Sequence, residues 1–419
     1  MIFNQTKGLF RKIKNKGITG LINAVHVRLA SLEYEIFTLC PLNNNLIVFE
    51  SDGDLTDNSF ALYEFMRNHG LLKKYTIVWM VHDVQKAKKR QMKYPDEFPH
   101  TKFANKDIGF DNCKRSFYLA TCKWFIYDHS NLVSNYHRKK GQHVIYMSHG
   151  FGVKAGKGIA PVRNNFDINI VLGSIPAENA PFDWGGSISQ TRQWGYPRND
   201  YLFKDNYRVK RILNSNFSFD KYQKVILWMP TFRKAVSYGA ALSEDYIRNE
   251  TGMPLFNTLD ELIRFDDFLD KMQILVVLKL HPLQADLQVF SFSFKNIKIV
   301  RNSDLEDLNI QLYQMVKYTD VLITDYSSIS TDYMLLNQPI IYILDDYEEY
   351  KSARGLSPEN AIDLLVGYHV VNVSELKTAI IEVGDGTDKF KEKRNVILPD
   401  LHKHIDGNAC ERIIEKLSL

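Results

Sequence analysis

Short apolar runs, each closing on a turn former or a polar residue, recur along this chain with helical stretches between them. That rhythm constrains the fold more than any other feature. Leu46 to Glu50, the helical Phe60 to Arg67, and Tyr75 to Val81 set it, and Trp124 to Tyr127 and Val144 to Met147 continue it. It restarts at Val225 to Met229, Ile274 to Leu280, Ile297 to Val300, Val321 to Thr324 and Ile340 to Ile343. Alternating βαβ units predict parallel sheets flanked by helices, an α/β fold. A chain of 419 residues is too long for one compact core, so two α/β domains are expected, over residues 31–205 and 206–419. The stretch from Trp194 to Asn206, with Gly195, Pro197, Asn199 and Asp200, suits a hinge or linker between them. No internal repeat or low-complexity tract is evident.

Fifty-three basic and 49 acidic side chains leave a net charge of +4, too mild and too evenly spread to point to nucleic acid. The start of the chain is the exception. Lys7, Arg11, Lys12, Lys14, Lys16 and Arg28 precede the first acidic residue, Glu33, and Phe3, Leu9, Phe10, Ile13, Ile18, Leu21, Ile22 and Val25 are interleaved at roughly helical spacing. Residues 1–30 therefore read as a basic amphipathic segment lying on an anionic membrane surface, or as a helix that docks on its own domain and solvates its basic face. No run has the ~18 apolar residues that would span a bilayer, and no cleavable leader is visible. The expected location is the cytoplasmic side, peripheral to the membrane. Cys40, Cys113, Cys122 and Cys410 lack metal-ligand spacing and read as reduced, structural thiols.

In an open α/β domain, ligands bind beyond the carboxyl ends of the strands. Five strand ends carry chemistry. Val321 to Thr324 runs into Asp325-Tyr326-Ser327-Ser328 and then a helical pattern through Tyr333, Leu335 and Leu336. Hydroxyls and backbone N–H groups there suit a diphosphate, although any of Asp325, Ser327 and Ser328 would also serve merely as a helix cap. Asp332, on the first turn, suits sugar or polyol hydroxyls or the helix dipole. Val144 to Met147 leads to Ser148-His149-Gly150-Phe151-Gly152, in which the glycines permit close approach and His149 can take a proton near neutral pH. Pro230-Thr231-Phe232-Arg233 supplies a hydroxyl and a guanidinium, and Lys279-Leu280-His281-Pro282 an ammonium and an imidazole. Arg198 lies in Gly195-Tyr196-Pro197-Arg198-Asn199-Asp200. Singly, each of these is as well explained by an ion pair or a turn. Asp52-Gly53-Asp54 reads as a turn and Asp345-Asp346 as a solvated helix start, so neither is assigned as a metal site.

Together these segments resemble the CDP-glycerol glycerophosphotransferase family, the teichoic acid primases and polymerases of bacterial cell walls. The resemblance runs from about Leu46 to Arg412. It is carried by Ser148-His149-Gly150 with Lys154, the Gly195 to Asp200 segment, Pro230 to Arg233, Lys279 to Pro282, Leu322 to Ser328 with Asp332, Leu336-Asn337-Gln338-Pro339-Ile340, and Tyr350 to Gly355. It implies two Rossmann-like domains in a GT-B-like arrangement: an N-terminal acceptor domain and a C-terminal domain binding a CDP-polyol donor. It further implies His149 as the base that deprotonates the acceptor hydroxyl and His281 as a second imidazole near the phosphates. Gly150, Arg198, Pro230, Thr231, Lys279, Ser327, Ser328 and Asp332 would line the donor, with Arg233 and Arg354 as weaker transfers.

The implied reaction moves glycerol phosphate or ribitol phosphate to a hydroxyl of a membrane-linked teichoic or capsular acceptor, releasing CMP. No cofactor is implied; a divalent ion stays open, with Asp325 and Asp332 as the obvious hard ligands. The chain departs from the family at Ser148, where a bulky aromatic is usual, and at Phe151-Gly152, where Thr-Pro is frequent. These departures leave the polyol and the acceptor open. Two other readings remain: a nucleotide-sugar glycosyltransferase of the same architecture, and a silent nucleotide- or lipid-binding scaffold.

Overall fold

The computed structural model describes residues 20, 22–109, 113–129, 138–148, 150–155, 166–231, 250–280 and 287–419. The first half carries strands β1 (Asn43–Glu50), β2 (Thr76–Val81), β3 (Thr101–Asn105), β4 (Cys122–Tyr127), β5 (His143–Tyr146), β6 (Ile168–Val171) and β7 (Thr191–Gln193). They form one parallel sheet in the order β3-β2-β1-β4-β5-β6-β7. The second half carries β8 (Lys224–Trp228), β9 (Ile274–Lys279), β10 (Ile297–Val300), β11 (Val321–Thr324), β12 (Ile340–Ile343) and β13 (Tyr368–Val370), parallel in the order β10-β9-β8-β11-β12-β13.

Central strands are continuous apolar runs because helices cover both of their faces. Trp79 and Trp228, on β2 and β8, are fully buried. The strands that the apolar rhythm did not mark include three sheet edges. β3 exposes Lys102 and Asn105, β7 (Thr191-Arg192-Gln193) is half-buried throughout, and the middle residue of β13, His369, is exposed. The sheets also show the duplication that residue identities concealed. Each reverses direction after its first strand, between β1 and β4 and between β8 and β11. The crevice that such a reversal opens is where this architecture binds ligands.

The expected linker proves to be a buried 3₁₀-helix, Pro197–Leu202, in which Pro197, Arg198, Asn199, Asp200 and Leu202 are all buried. Its polar side chains find partners on both halves. The last helix, Ala409–Leu417, comes back to it: Ala409 N and Cys410 N donate to the two carboxylate oxygens of Asp200 at 2.8 and 2.9 Å.

The basic segment over residues 1–19 lies outside the described residues. The helix over residues 22–37 buries Ala30 and Tyr34 against the first sheet. Ile22, Val25, Leu29, Leu32 and Ile36 are exposed along it, as is Leu39 in the turn that follows. These residues recur every three or four positions and so form one stripe.

Candidate functional site

Both switch points are closed by the same device. Asp325, directly after β11, accepts from Thr231 N at 3.0 and 2.8 Å and from the Thr231 hydroxyl, so it anchors the loop after β8. Asp128, directly after β4, accepts from Asp52 N at 3.2 Å and Ser59 N at 2.9 Å, and so anchors the loop after β1. Burial pushes the Asp128 carboxyl well up, and the neighbouring Asp57 adds to this. Tyr127-Asp128-His129-Ser130 mirrors Thr324-Asp325-Tyr326-Ser327, a sequence signal that would have found Asp128.

Beyond Asp325, Tyr326 is buried and stacks on Tyr350 with centroids 3.9 Å apart, while its hydroxyl donates to Asp346 at 3.0 Å. This fixes the chain so that Ser327 and Ser328, both half-buried, lie at the cleft. The following helix is short, Ile329–Tyr333, and Ser328 makes no side-chain cap bond to it.

Ser328 faces the end of β5 across the cleft. A Cβ on Gly150 would fall 2.7 Å from Ser328 Oγ and 3.0 Å from Arg198 Nη2, and one on Gly152 would fall 2.9 Å from Ser328 Cα. Gly150 also has φ +139°, which side chains rarely tolerate. These glycines let the two halves touch. Beside them, Ala155 N donates to Gly355 O at 3.2 Å and Ser357 N to Val153 O at 3.0 Å.

Arg198 is the hub of the contact. Its Nη1 donates to Asp57 and its Nη2 to Asp332, each at 2.7 Å, and the guanidinium lies 4.6 Å from the ring centroid of Tyr313. Burial pulls this guanidinium down, but Asp57, Tyr313 and Asp332 outweigh it, and the net direction is well up. Burial raises the Asp57 carboxyl in spite of Arg198. Asp332 is fully buried and also accepts from Asn199 Nδ2 at 2.9 Å and from the Tyr313 hydroxyl. Its carboxylate is thus turned to the protein, where it holds Arg198.

Asn58 links the hub to the end of β5. Its Oδ1 accepts from Arg198 N at 3.2 Å, and its Nδ2 donates to Ser148 O at 2.8 Å. Ser148, held at φ +54°, is the residue before His149. On the far side of the cleft, Lys279 is buried and donates to Asn302 Oδ1 at 2.7 Å. Burial pushes its ammonium down to about 8, with Asp304 only partly opposing. Pro230, the residue before Thr231, is buried.

The structure thus brings Gly150, Arg198, Pro230, Thr231, Ser327, Ser328 and Asp332 to the two switch points and the seam between them, with Lys279 on the strand next to β8. His149, His281 and Arg233 lie outside the described residues, as does the side chain of Arg354. Sequence reasoning missed Asp57, Asn58, Asp128, Asn302 and Tyr313. Apart from the mirrored segment at Asp128, these residues sit in helices without a motif. Among the described residues, no group of three or more His, Cys, Asp or Glu is placed to hold a metal ion.

A family model described as CDP-Glycerol:Poly(glycerophosphate) glycerophosphotransferase matches residues 32–419. A teichoic acid poly(ribitol-phosphate) polymerase of Bacillus spizizenii is 25% identical over 94% of this chain and 60% of its own length. A teichoic acid poly(glycerol phosphate) polymerase of the same organism is 24% identical over 93% and 96%. This chain therefore spans less than two thirds of the first relative and nearly all of the second. A solved structure of the wall teichoic acid polymerase TagF superposes with a TM-score of 0.68 at 20% identity, covering 99% of this chain and 97% of that one. A Staphylococcus aureus MnaA-UDP co-structure superposes with a TM-score of 0.52 at 13% identity, covering 89% and 95%.

Proposed function

Because the chain belongs to the CDP-glycerol:poly(glycerophosphate) glycerophosphotransferase family, an enzyme family of teichoic acid synthesis, we propose that it moves a polyol phosphate from a CDP-polyol to a hydroxyl of a membrane-linked acceptor. The observation that carries this reading is the meeting of Ser328, Gly150 and Arg198 across the two switch points. Groups suited to a diphosphate there face the strand end that leads to an imidazole. TagF, whose fold this chain shares, has also been solved after a soak with CDPG.

In this reading the acceptor oxygen attacks the phosphorus that bears the polyol. Its bond to the bridging oxygen breaks, and CMP leaves with the electron pair. His149 takes the acceptor proton, and Asn58 holds the carbonyl of Ser148, the residue before it in the sequence. The hydroxyls of Ser327, Ser328 and Thr231, with Lys279 and His281, stabilise charge on the diphosphate as CMP departs. Arg233, two positions after Thr231 in the sequence, is a further candidate for the donor phosphates. Arg198 and Asp332 hold the halves in register around the reacting atoms, a positioning role.

The exposed stripe from Ile22 to Leu39, which follows the basic stretch of the sequence, supports a peripheral membrane location.

Purified protein should release CMP from CDP-glycerol or CDP-ribitol when given lipid-linked acceptors. No CMP from either donor across several acceptors would overturn the proposal, and release of UDP or GDP from nucleotide sugars would replace it with glycosyl transfer. His149→Ala and His281→Ala should each lose at least about a hundredfold in kcat while remaining folded. Retained turnover in both would remove their assigned roles.

A further inference from the structure

The two flanks of the cleft are joined in different ways. On the side of β5, β12 and β13 the junction is backbone: Lys154 and Leu356 form an antiparallel bridge, Ala155 N donates to Gly355 O, and Ser357 N donates to Val153 O. On the side of β3 and β10, the outer strands of the two sheets, side chains bridge the halves. Lys86 Nζ donates to Glu306 at 2.6 Å, but this pair is 59% and 34% exposed and adds little. Gln311 Nε2 reaches Leu55 O at 3.4 Å, a long bond. The remaining bridge is Asn309.

Asn309 follows the helix Asn302–Asp307 and takes the left-handed conformation, φ +53°, which asparagine tolerates better than most residues. Its backbone belongs to the second half, where Asn309 N donates to Glu306 O at 3.0 Å and Arg208 Nη1 donates to Asn309 O at 3.2 Å. Its buried amide reaches into the first half. Nδ2 donates to Glu97 Oε1, and Oδ1 accepts from Arg90 Nη2 at 2.9 Å. Arg90 and Glu97 are themselves neighbours, with Nη2 3.9 Å from Oε2, too far for a hydrogen bond. Their side chains are only 11% and 24% exposed, and Arg90 Nε and Glu97 Oε2 are buried without a hydrogen bond among the described residues. A cation and a carboxylate, each one bond short, are thus held apart by a neutral amide from the other half. Withdrawing the amide frees them to close as a charge-assisted pair.

We propose that Asn309 is the tongue of a latch whose two states trade partners. With the halves together its amide lies between Arg90 and Glu97; with this flank apart, Arg90 bonds directly to Glu97. The direct pair replaces the bonds that parting breaks, so neither buried charge is left uncompensated and both states are accessible. The flank turns on the backbone junction opposite, and the gap admits ligands to a cavity of about 630 Å³ that Arg90 and Arg198 both line.

Spin labels at Lys102→Cys and Ser293→Cys, exposed positions on β3 and just before β10, report the separation by pulsed EPR once Cys40 and Cys113 are changed to serine. In urea below the unfolding transition, wild type should show two distances, the longer one a minority. Asn309→Gly keeps the left-handed turn and removes the tongue, so the ratio of long to short should rise about tenfold. Glu97→Gln keeps an acceptor for Asn309 but weakens the direct pair, so the ratio should fall about threefold. Added to Asn309→Gly, it should change nothing, because without the tongue Arg90 and Glu97 pair in both states. Side chains that merely pack the interface would raise the ratio whichever was changed. A single distance in wild type, an unchanged ratio in Asn309→Gly, a ratio in Glu97→Gln equal to or above that of wild type, or a Glu97→Gln effect that persists without the tongue would overturn the proposal. None of these distances depends on CMP release, so the latch and the transferase reading fail separately.

Discussion

Two carboxylates 2.7 Å from its guanidinium and a tyrosine ring on its face make Arg198 the residue on which the seam depends. Removing one member of a buried ionic group leaves the others uncompensated, at about 3–5 kcal/mol. Arg198→Ala should therefore lower stability by that order in urea titrations. Asp57, already raised by burial, loses the cation that opposes the shift. A carboxyl whose folded pKa lies above its unfolded value costs stability as pH rises through that window. The deficit of the variant should thus shrink as pH falls from 7 towards 5, and a deficit independent of pH would dissociate Asp57 from the effect.

Lys279 carries the opposite sign. Its ammonium, pushed down to about 8, is charged below that pH and neutral above it. If it meets the donor diphosphate, the KM for CDP-polyol should climb as pH passes 8, and Lys279→Arg, which stays charged, should flatten that climb. Identical profiles for the two proteins would exclude this lysine. Gly150→Ala should cost at least about tenfold in kcat/KM, because the added methyl falls 2.7 Å from Ser328 Oγ at an unfavourable φ.

At the scale of elements, the helix over residues 22–37 has two faces. Ala30 and Tyr34 dock it on the first sheet, and the stripe from Ile22 to Leu39 faces outward. Leu29→Glu with Leu32→Glu should leave thermal stability within a few degrees, because both side chains are exposed, while shifting the protein from the membrane fraction to the soluble one. Deleting residues 1–20 should shift it in the same direction. Unchanged partitioning in both would leave the helix a docking element alone. The 3₁₀-helix Pro197–Leu202 teaches a related point about legibility. Its Pro, Asn and Asp content reads as linker, yet Arg198, Asn199 and Asp200 each bond to residues 130 or more positions away. Composition reports local conformational preference, and burial here is decided by distant partners.

For the whole molecule, the closing helix ties the chain's end to the junction between the halves. Asp200 accepts from Ala409 N and Cys410 N, and Arg412 Nη1 donates to Trp194 O at 2.8 Å. Removing residues 407–419 should expose the surface that Cys410, Ile413 and Leu417 cover and split a single unfolding transition into two. A single transition at unchanged midpoint would show that the halves do not depend on this helix.

What the sequence determined by itself is the set of central strands and the polar residues at their ends. β11 and β12 coincide with apolar runs, since a strand covered on both faces is apolar and a strand end must turn. Ser327, Ser328, Gly150 and Thr231 were legible for that reason. Tertiary structure alone decided that Asp332 turns inward to Arg198, that Asp57, Asn58 and Tyr313 join them, and that Asn302 holds Lys279. Such partners are chosen by distance in space across two packed domains, and no local periodicity encodes them.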